Sequence, residues 1–197
     1  MTISEKIEEI RQSAHQLHAR VNQFYDKVLP YSIHLDMTAS VVERYFREVL
    51  TTEEDYLPLM FAAYYHDSIE DARLSYNDVT KIAKAYMSDS QAFMAAEIVY
   101  ALTNEKGRTR AERAGEKYYE GIRNTPYAPF TKLCDRIANV KYSHDHASVS
   151  NTNKRMKNVY LNELPSFLKS ISSKHSDDKR FVVPEAMVKE LYNLLET

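Results

Sequence analysis

The chain has 197 residues, with 26 lysines and arginines against 28 aspartates and glutamates, so it lacks the basic excess of a typical duplex-DNA-binding protein. Only three glycines and six prolines are present, which argues against a turn-rich β-sandwich. A single cysteine, a charged N-terminus unlike a signal peptide, and the lack of an apolar run of the roughly 20 residues that a membrane span needs predict a cytoplasmic protein without a membrane partner.

Apolar residues spaced three and four positions apart predict an all-α chain with a single domain over residues 1–197. The first predicted helix covers residues 4–27, and Val21 and Phe24 belong to its apolar face. Leu29-Pro30-Tyr31 should end this helix, because proline cannot continue it.

The next two predicted helices lead to the first candidate site residues. One covers residues 34–50, and His34 lies in line with its buried stripe, so the imidazole should point inward. The other covers residues 56–65 and is apolar on almost every side, which is typical of a central, buried helix. His66 and Asp67 directly follow it.

The remainder of the chain is predicted to be helical as well, with a polar loop near residues 172–180. The expected helices cover residues 78–87, 91–102, 110–123, 129–143, 153–171 and 184–195.

Acidic residues are concentrated after the third predicted helix. Glu70 and Asp71 lie four residues after His66 and Asp67, so the two pairs share one side if the helix continues for another turn. Three carboxylates so close together repel one another unless protons or a cation compensate, and a divalent metal is a natural compensation. The ordinary alternatives are a hydrogen-bonded core histidine and a solvated helix end.

A second acidic position lies in the segment 132–143. Asp135 and Asn139 are four residues apart beside an apolar stripe, so Asp135 can reach into a pocket while its helix stays packed. A surface ion pair between Asp135 and Arg136 is the ordinary alternative. The spacing alone leaves both interpretations open.

Four blocks of the sequence resemble, in order, motifs of the HD-domain phosphohydrolases, and within them the small alarmone hydrolases. The blocks are Pro30-Tyr31-Ser32-Ile33-His34, His66-Asp67-Ser68-Ile69-Glu70-Asp71, Ala101 to Lys106 with Glu112-Arg113, and Leu133 to Asn139. The resemblance covers roughly residues 19–167 and implies an HD-domain helical bundle that removes pyrophosphate from the 3′ position of guanosine 3′,5′-bis(diphosphate).

The resemblance also implies a role for each motif residue. It implies that one divalent metal, usually Mn²⁺, is bound by four ligands: His34, His66, Asp67 and Asp135. The mixed nitrogen and oxygen ligands are also consistent with Fe or Zn. By the same resemblance, Glu70 and Asp71 position or deprotonate the attacking water as general base.

The partner implied by the resemblance is a small nucleotide. The candidate substrate contacts are Lys27, Tyr31, Lys106, Arg113, Arg136 and Asn139. For the basic residues among them, a solvated helix face is the alternative.

The stretch from Gln23 to Leu29 departs from the family pattern. The family has a basic pair and a glycine before its Pro-Tyr, whereas here the glycine is absent and only Lys27 is basic. This departure bears on the nucleotide more than on hydrolysis. Two further hypotheses therefore stay open: an HD phosphohydrolase that acts on another nucleotide, such as a phosphomonoester, and a nucleotide- or metal-binding regulatory module.

Overall fold

The computed structural model describes residues 1–104, 107–175 and 177–196, and these are mainly helical. The α-helices are α1 Ile3–Arg20, α2 Ser32–Tyr45, α3 Tyr56–Tyr65, α4 Tyr76–Ala83, α5 Asp89–Leu102, α6 Arg110–Arg113, α7 Glu116–Asn124, α8 Ala128–Asp145, α9 Asn151–Ile171 and α10 Glu185–Glu196. Short 3-10 helices occupy Phe46–Glu48, Glu53–Asp55 and Lys179–Phe181, and two strands, β1 Phe24–Tyr25 and β2 Leu29–Pro30, pair antiparallel. The all-α prediction is confirmed.

Helix α3 lies at the centre of the fold. It packs against α1, α2, α5 and α8, and every residue from Leu57 to Tyr65 is buried. A helix that is apolar on every side can be surrounded in this way because it needs no solvent-facing side. One cluster of buried apolar side chains runs from Ile10 in α1 to Leu195 in α10. The prediction of a central third helix is therefore confirmed, and its C-terminal end is held inside the fold.

The first helix ends at Arg20, earlier than predicted. Asn22 has a positive φ of 53°, a backbone conformation that cannot continue a right-handed helix, and the chain then turns into the β1–β2 hairpin. Val21 and Phe24 are consequently 41% and 55% exposed. The prediction that both residues belong to the apolar face of a helix over residues 4–27 was wrong.

The other helices agree with the predictions to within a few residues, with one exception. The predicted helix over residues 110–123 is two helices, α6 and α7, and Gly115 is the extended residue that precedes α7. None of the helices in the described parts of the chain combines the length and the apolarity that crossing a membrane requires.

Phe61 provides a test of this core. Its side chain is fully buried in α3, and its ring stacks on that of Tyr65 with 4.3 Å between centroids. We expect Phe61→Ala to lower the free energy of unfolding by about 3–5 kcal/mol, because it removes apolar contacts and leaves a cavity. Phe93 is 58% exposed, so Phe93→Ala should change that free energy by less than about 0.5 kcal/mol. Urea denaturation measures both variants, and equal losses would contradict a core centred on α3.

Candidate metal centre

Three helices bring two imidazoles and two carboxylates together. His34 lies in α2, His66 and Asp67 directly follow α3, and Asp135 lies in α8. His34 Nε2 is 3.1 Å from His66 Nε2 and 3.3 Å from Asp135 Oδ1. His66 Nε2 is 2.9 Å from Asp67 Oδ2 and 3.8 Å from Asp135 Oδ1. The structure thus brings together all four residues that the resemblance implied as metal ligands. We call His34, His66, Asp67 and Asp135 the His/Asp cluster.

Three residues of the His/Asp cluster, His34, His66 and Asp67, have a geometry that suits a metal ion. Ligands about 2.1 Å from one ion lie roughly 3.0–3.4 Å apart, and the facing atoms of these three residues are separated by 3.1, 2.9 and 3.6 Å. Asp135 Oδ1 lies further from His66 Nε2, at 3.8 Å. The ligand atoms of His34, His66 and Asp67 all lie within 4.8 Å of one another. His66 Nδ1 is 2.9 Å from the carbonyl oxygen of Ala63, and donation there leaves the Nε2 lone pair facing the cluster. Together, His34, His66 and Asp67 could hold a metal ion.

The electrostatics of the His/Asp cluster favour positive charge at its centre. Burial would lower the pKa of His34, but hydrogen bonds with the carboxylates of Asp135 and Asp67 raise that pKa to about 9. Burial likewise opposes ionisation of Asp135, yet the positive charges of Lys132 and of the imidazoles hold the pKa of this carboxyl well below its usual range. The cluster therefore stabilises a proton where a metal cation would lie.

Polar side chains around the cluster orient both carboxylates. The Tyr31 hydroxyl donates a hydrogen bond to Asp67 Oδ2. Asp135 accepts hydrogen bonds from Lys132 Nζ at 2.9 Å and from Asn139 Nδ2 at 2.6 Å. Groups that orient ligands in this way typically change metal affinity by about 10–100-fold when they are removed.

Sequence reasoning missed Lys132 and Tyr25. Lys132 precedes Asp135 by three residues, a helical spacing that indicates an ion pair, so a signal was present. Tyr25 donates a hydrogen bond to Asn139 Oδ1 at 3.0 Å, and its ring lies nearly parallel to that of His34 with 5.2 Å between centroids. No comparable signal marked Tyr25, because the residues around it continue the apolar pattern of the first helix.

The acidic pair that follows the cluster lies in a turn and not in a continuation of α3. The backbone N–H of Asp71 donates to the carbonyl oxygen of Asp67 at 2.9 Å. Burial, together with the charges of Asp67 and Glu70, raises the pKa of the half-buried Asp71 to about 6. Glu70 is exposed, and its carboxylate accepts hydrogen bonds from the backbone N–H and, at 3.1 Å, from the side-chain amide of Asn104. Asp71 is therefore a half-buried carboxylate beside the cluster whose pKa lies above that of a free aspartate.

A cavity of about 500 Å³ adjoins the cluster at Asp135. This volume lies in the range that is typical of small-molecule sites. Three of the predicted substrate contacts line it, namely Arg113, Arg136 and Asn139. Aromatic side chains form much of the remaining wall: Tyr118, Tyr119, Tyr160 and Phe167.

The other predicted substrate contacts lie elsewhere. The hydroxyl of Tyr31 is directed at Asp67, so Tyr31 supports a candidate ligand. Lys27 is exposed in the hairpin turn, with a φ of 70°, and does not line the cavity. Its contact with a substrate stays a prediction. Lys106 lies outside the described residues.

Arg136 is part of the buried wall of the cavity. It is 8% exposed, it donates to Glu163 Oε2 at 3.0 Å, and its guanidinium carbon lies 4.1 Å from the centroid of the Phe167 ring. The alternatives of a solvated helix face for Arg136 and of a surface ion pair between Arg136 and Asp135 are therefore wrong. The positive charge of Arg136 is compensated within the wall itself.

Comparison of the chain with models of known protein families and with curated proteins finds no match.

Proposed function

We propose that the protein is a metal-dependent phosphohydrolase. The observation that carries this proposal is the His/Asp cluster, which adjoins both an acidic pair, Glu70 and Asp71, and a cavity of ligand size. A protein that only stored or sensed a metal would need the cluster alone. The acidic pair beside it is suited to proton transfer, which favours an enzyme over a regulatory module.

Each part of the site has a chemical role in this proposal. When bound, a divalent cation lowers the pKa of a water molecule and offsets negative charge on a phosphoryl oxygen. Asp71, with Glu70, accepts the proton of the attacking water and holds that water in position. Asn139 lines the cavity next to Asp135 and contacts the ribose or a phosphate of the substrate.

Mn²⁺ is the metal that we propose. Two imidazole nitrogens and two carboxylate oxygens form a mixed ligand set, in which the carboxylates suit Mn²⁺ and the imidazoles suit Fe²⁺ or Zn²⁺. The resemblance to the alarmone hydrolases favours Mn²⁺ among the three, and Fe²⁺ and Zn²⁺ are the alternatives.

Guanosine 3′,5′-bis(diphosphate) is the substrate that we propose, with release of pyrophosphate from its 3′ position. The four motif blocks support this choice, above all the paired Glu70-Asp71. The cavity supports it as well, because Tyr119 is partly exposed on its wall and offers a ring on which a nucleobase can stack. The rings of Tyr160 and Phe167 are buried and already lie against the Arg136 guanidinium.

The charges around the cavity favour a second candidate, a nucleotide with fewer phosphates. Lys132 is paired with Asp135, and Arg136 is paired with Glu163. Both cations therefore contribute little net positive charge to the cavity, Lys27 lies outside it, and Arg113 is the remaining basic residue in its described lining. Loss of one charge-assisted contact typically costs about 1.5–3 kcal/mol, which is enough to shift the preference towards a less charged nucleotide.

Product analysis tests both candidates. We expect the Mn²⁺-loaded protein to convert guanosine 3′,5′-bis(diphosphate) into guanosine 5′-diphosphate and pyrophosphate, measured by ion-exchange chromatography. The same preparation is incubated with nucleoside monophosphates, and Asp67→Ala provides the inactive control. Release of orthophosphate from a nucleoside monophosphate, without release of pyrophosphate from guanosine 3′,5′-bis(diphosphate), would contradict the alarmone assignment and favour the second candidate. No turnover of any nucleotide by metal-loaded protein would favour the regulatory module.

A further inference from the structure

One hairpin supports both carboxylates of the His/Asp cluster. Tyr31, directly after β2, donates its hydroxyl to Asp67, and Tyr25, in β1, donates its hydroxyl to Asn139. We propose that Tyr25 is a positioning residue that orients Asp135 through Asn139, so that the hairpin sets the affinity of the cluster for its metal. This inference rests on the metal centre proposed above and is independent of which nucleotide is hydrolysed.

The path from Tyr25 to the cluster consists of two hydrogen bonds. The Tyr25 hydroxyl donates to Asn139 Oδ1 at 3.0 Å, and Asn139 Nδ2 donates to Asp135 Oδ1 at 2.6 Å. An asparagine amide has one accepting oxygen and one donating nitrogen. Asn139 Nδ2 also donates to the carbonyl oxygen of Asp135 at 3.1 Å, so two acceptors hold the amino end of the amide and the Tyr25 hydroxyl holds its oxygen end. Without the Tyr25 hydroxyl, the oxygen end loses this partner and the plane of the amide is held less firmly against the Asp135 carboxylate.

The ring of Tyr25 has a separate role. It stacks on the imidazole of His34, with 11° between the ring planes. This stack covers one face of a buried candidate ligand and leaves the hydroxyl free to reach Asn139. Removing the hydroxyl alone therefore tests the orientation of Asp135 while the packing against His34 is retained.

The hairpin is attached firmly enough to fix the position of the Tyr25 hydroxyl. Asp26, which follows Tyr25, accepts hydrogen bonds from the Tyr142 hydroxyl at 2.9 Å and from Asn153 Nδ2 at 3.1 Å. The rings of Tyr25 and Tyr142 also pack edge to face, with 4.8 Å between centroids. These contacts hold the hairpin on α8 and α9, and α8 also carries Asn139 and Asp135.

We expect Tyr25→Phe to raise the dissociation constant for Mn²⁺ by about 10-fold, because the Asn139 amide that orients the carboxylate of Asp135 is then held less firmly. Isothermal titration calorimetry measures the constant, and the absorption spectrum of the Co²⁺-loaded protein should change because it reports ligand geometry. Tyr76→Phe is the matched control. It removes a hydroxyl that donates to Glu97 at 2.7 Å, on helices that carry none of the cluster, and should leave both readouts unchanged.

A double-mutant cycle tests the path through Asn139. We expect Asn139→Ala to weaken Mn²⁺ binding at least as much as Tyr25→Phe, and the double variant to bind no more weakly than Asn139→Ala alone. Losses that add would overturn the path through Asn139. Unchanged Mn²⁺ binding and an unchanged Co²⁺ spectrum in Tyr25→Phe would overturn the positioning role and leave the metal centre intact. A wild-type protein that binds neither metal would overturn the metal centre and this inference together.

Discussion

Asp67→Ala should abolish metal binding and, with it, hydrolysis. Asp67 Oδ2 lies 2.9 Å from His66 Nε2 and 3.6 Å from His34 Nε2, and it accepts a hydrogen bond from the Tyr31 hydroxyl. The variant keeps both imidazoles but loses one of the two carboxylates that offset the charge of a divalent ion. Removal of a residue that only orients a ligand already lowers metal affinity by about 10–100-fold, so removal of a ligand itself should lower it by more than about 100-fold.

Thermal unfolding with and without Mn²⁺ measures this loss. A metal at 100 times its dissociation constant stabilises the folded protein by about 2.7 kcal/mol, so the wild-type melting temperature should rise and that of Asp67→Ala should not. Asp145→Ala is the control, because it removes a carboxylate of α8 that accepts from Lys141 at 2.9 Å and is not part of the cluster. If Asp67→Ala responded to Mn²⁺ as the wild type does, the cluster would not be the metal site.

The sequence predicts the fold well where a local pattern is sufficient. Helix α3 is apolar on every side, so its central place follows from its own residues. The end of α1 does not follow in the same way, since the apolar spacing continues through Val21 and Phe24. The hairpin that replaces the end of the helix is held by Asp26 against Tyr142, which lies 116 residues further along the chain. Periodicity in a short window carries no information about such a contact.

The same distinction applies to the site. His34 lies in line with the buried stripe of its helix and Asp135 lies beside an apolar stripe, so the inward direction of His34 and the reach of Asp135 into a pocket could be predicted. For His66-Asp67, the local pattern gives the position at the end of an apolar helix. The support of these ligands by Tyr25 and Tyr31 depends on how the hairpin folds back, which the periodicity did not reveal. Lys27, the basic residue of the stretch that departs from the family pattern, is exposed in the turn of this hairpin.

Asp71→Asn should retain the metal but lose turnover. Asp71 is not part of the His/Asp cluster, yet it follows Asp67 by one turn of the backbone, and burial with the nearby charges of Asp67 and Glu70 raises its pKa to about 6. Asparagine has nearly the same shape but cannot accept a proton. Loss of a general base typically lowers a rate by about 10²–10⁴-fold, so kcat should fall by that factor while the dissociation constant for Mn²⁺ stays close to that of the wild type.

The matched variant Glu70→Gln shows how the acidic pair shares this role. The carboxylate of Glu70 is exposed and held by Asn104, so we expect it to position the water or the substrate beside Asp71. Single-turnover rates and Mn²⁺ titrations of both variants separate the contributions. The double variant Glu70→Gln/Asp71→Asn completes the test: a rate no lower than that of the slower single variant, with intact metal binding, means that the two carboxylates act as one unit, because groups that act together show non-additive effects. Normal turnover in Glu70→Gln leaves Asp71 as the general base. Normal turnover in Asp71→Asn contradicts the assignment of Asp71 as general base and indicates that Glu70 has this role.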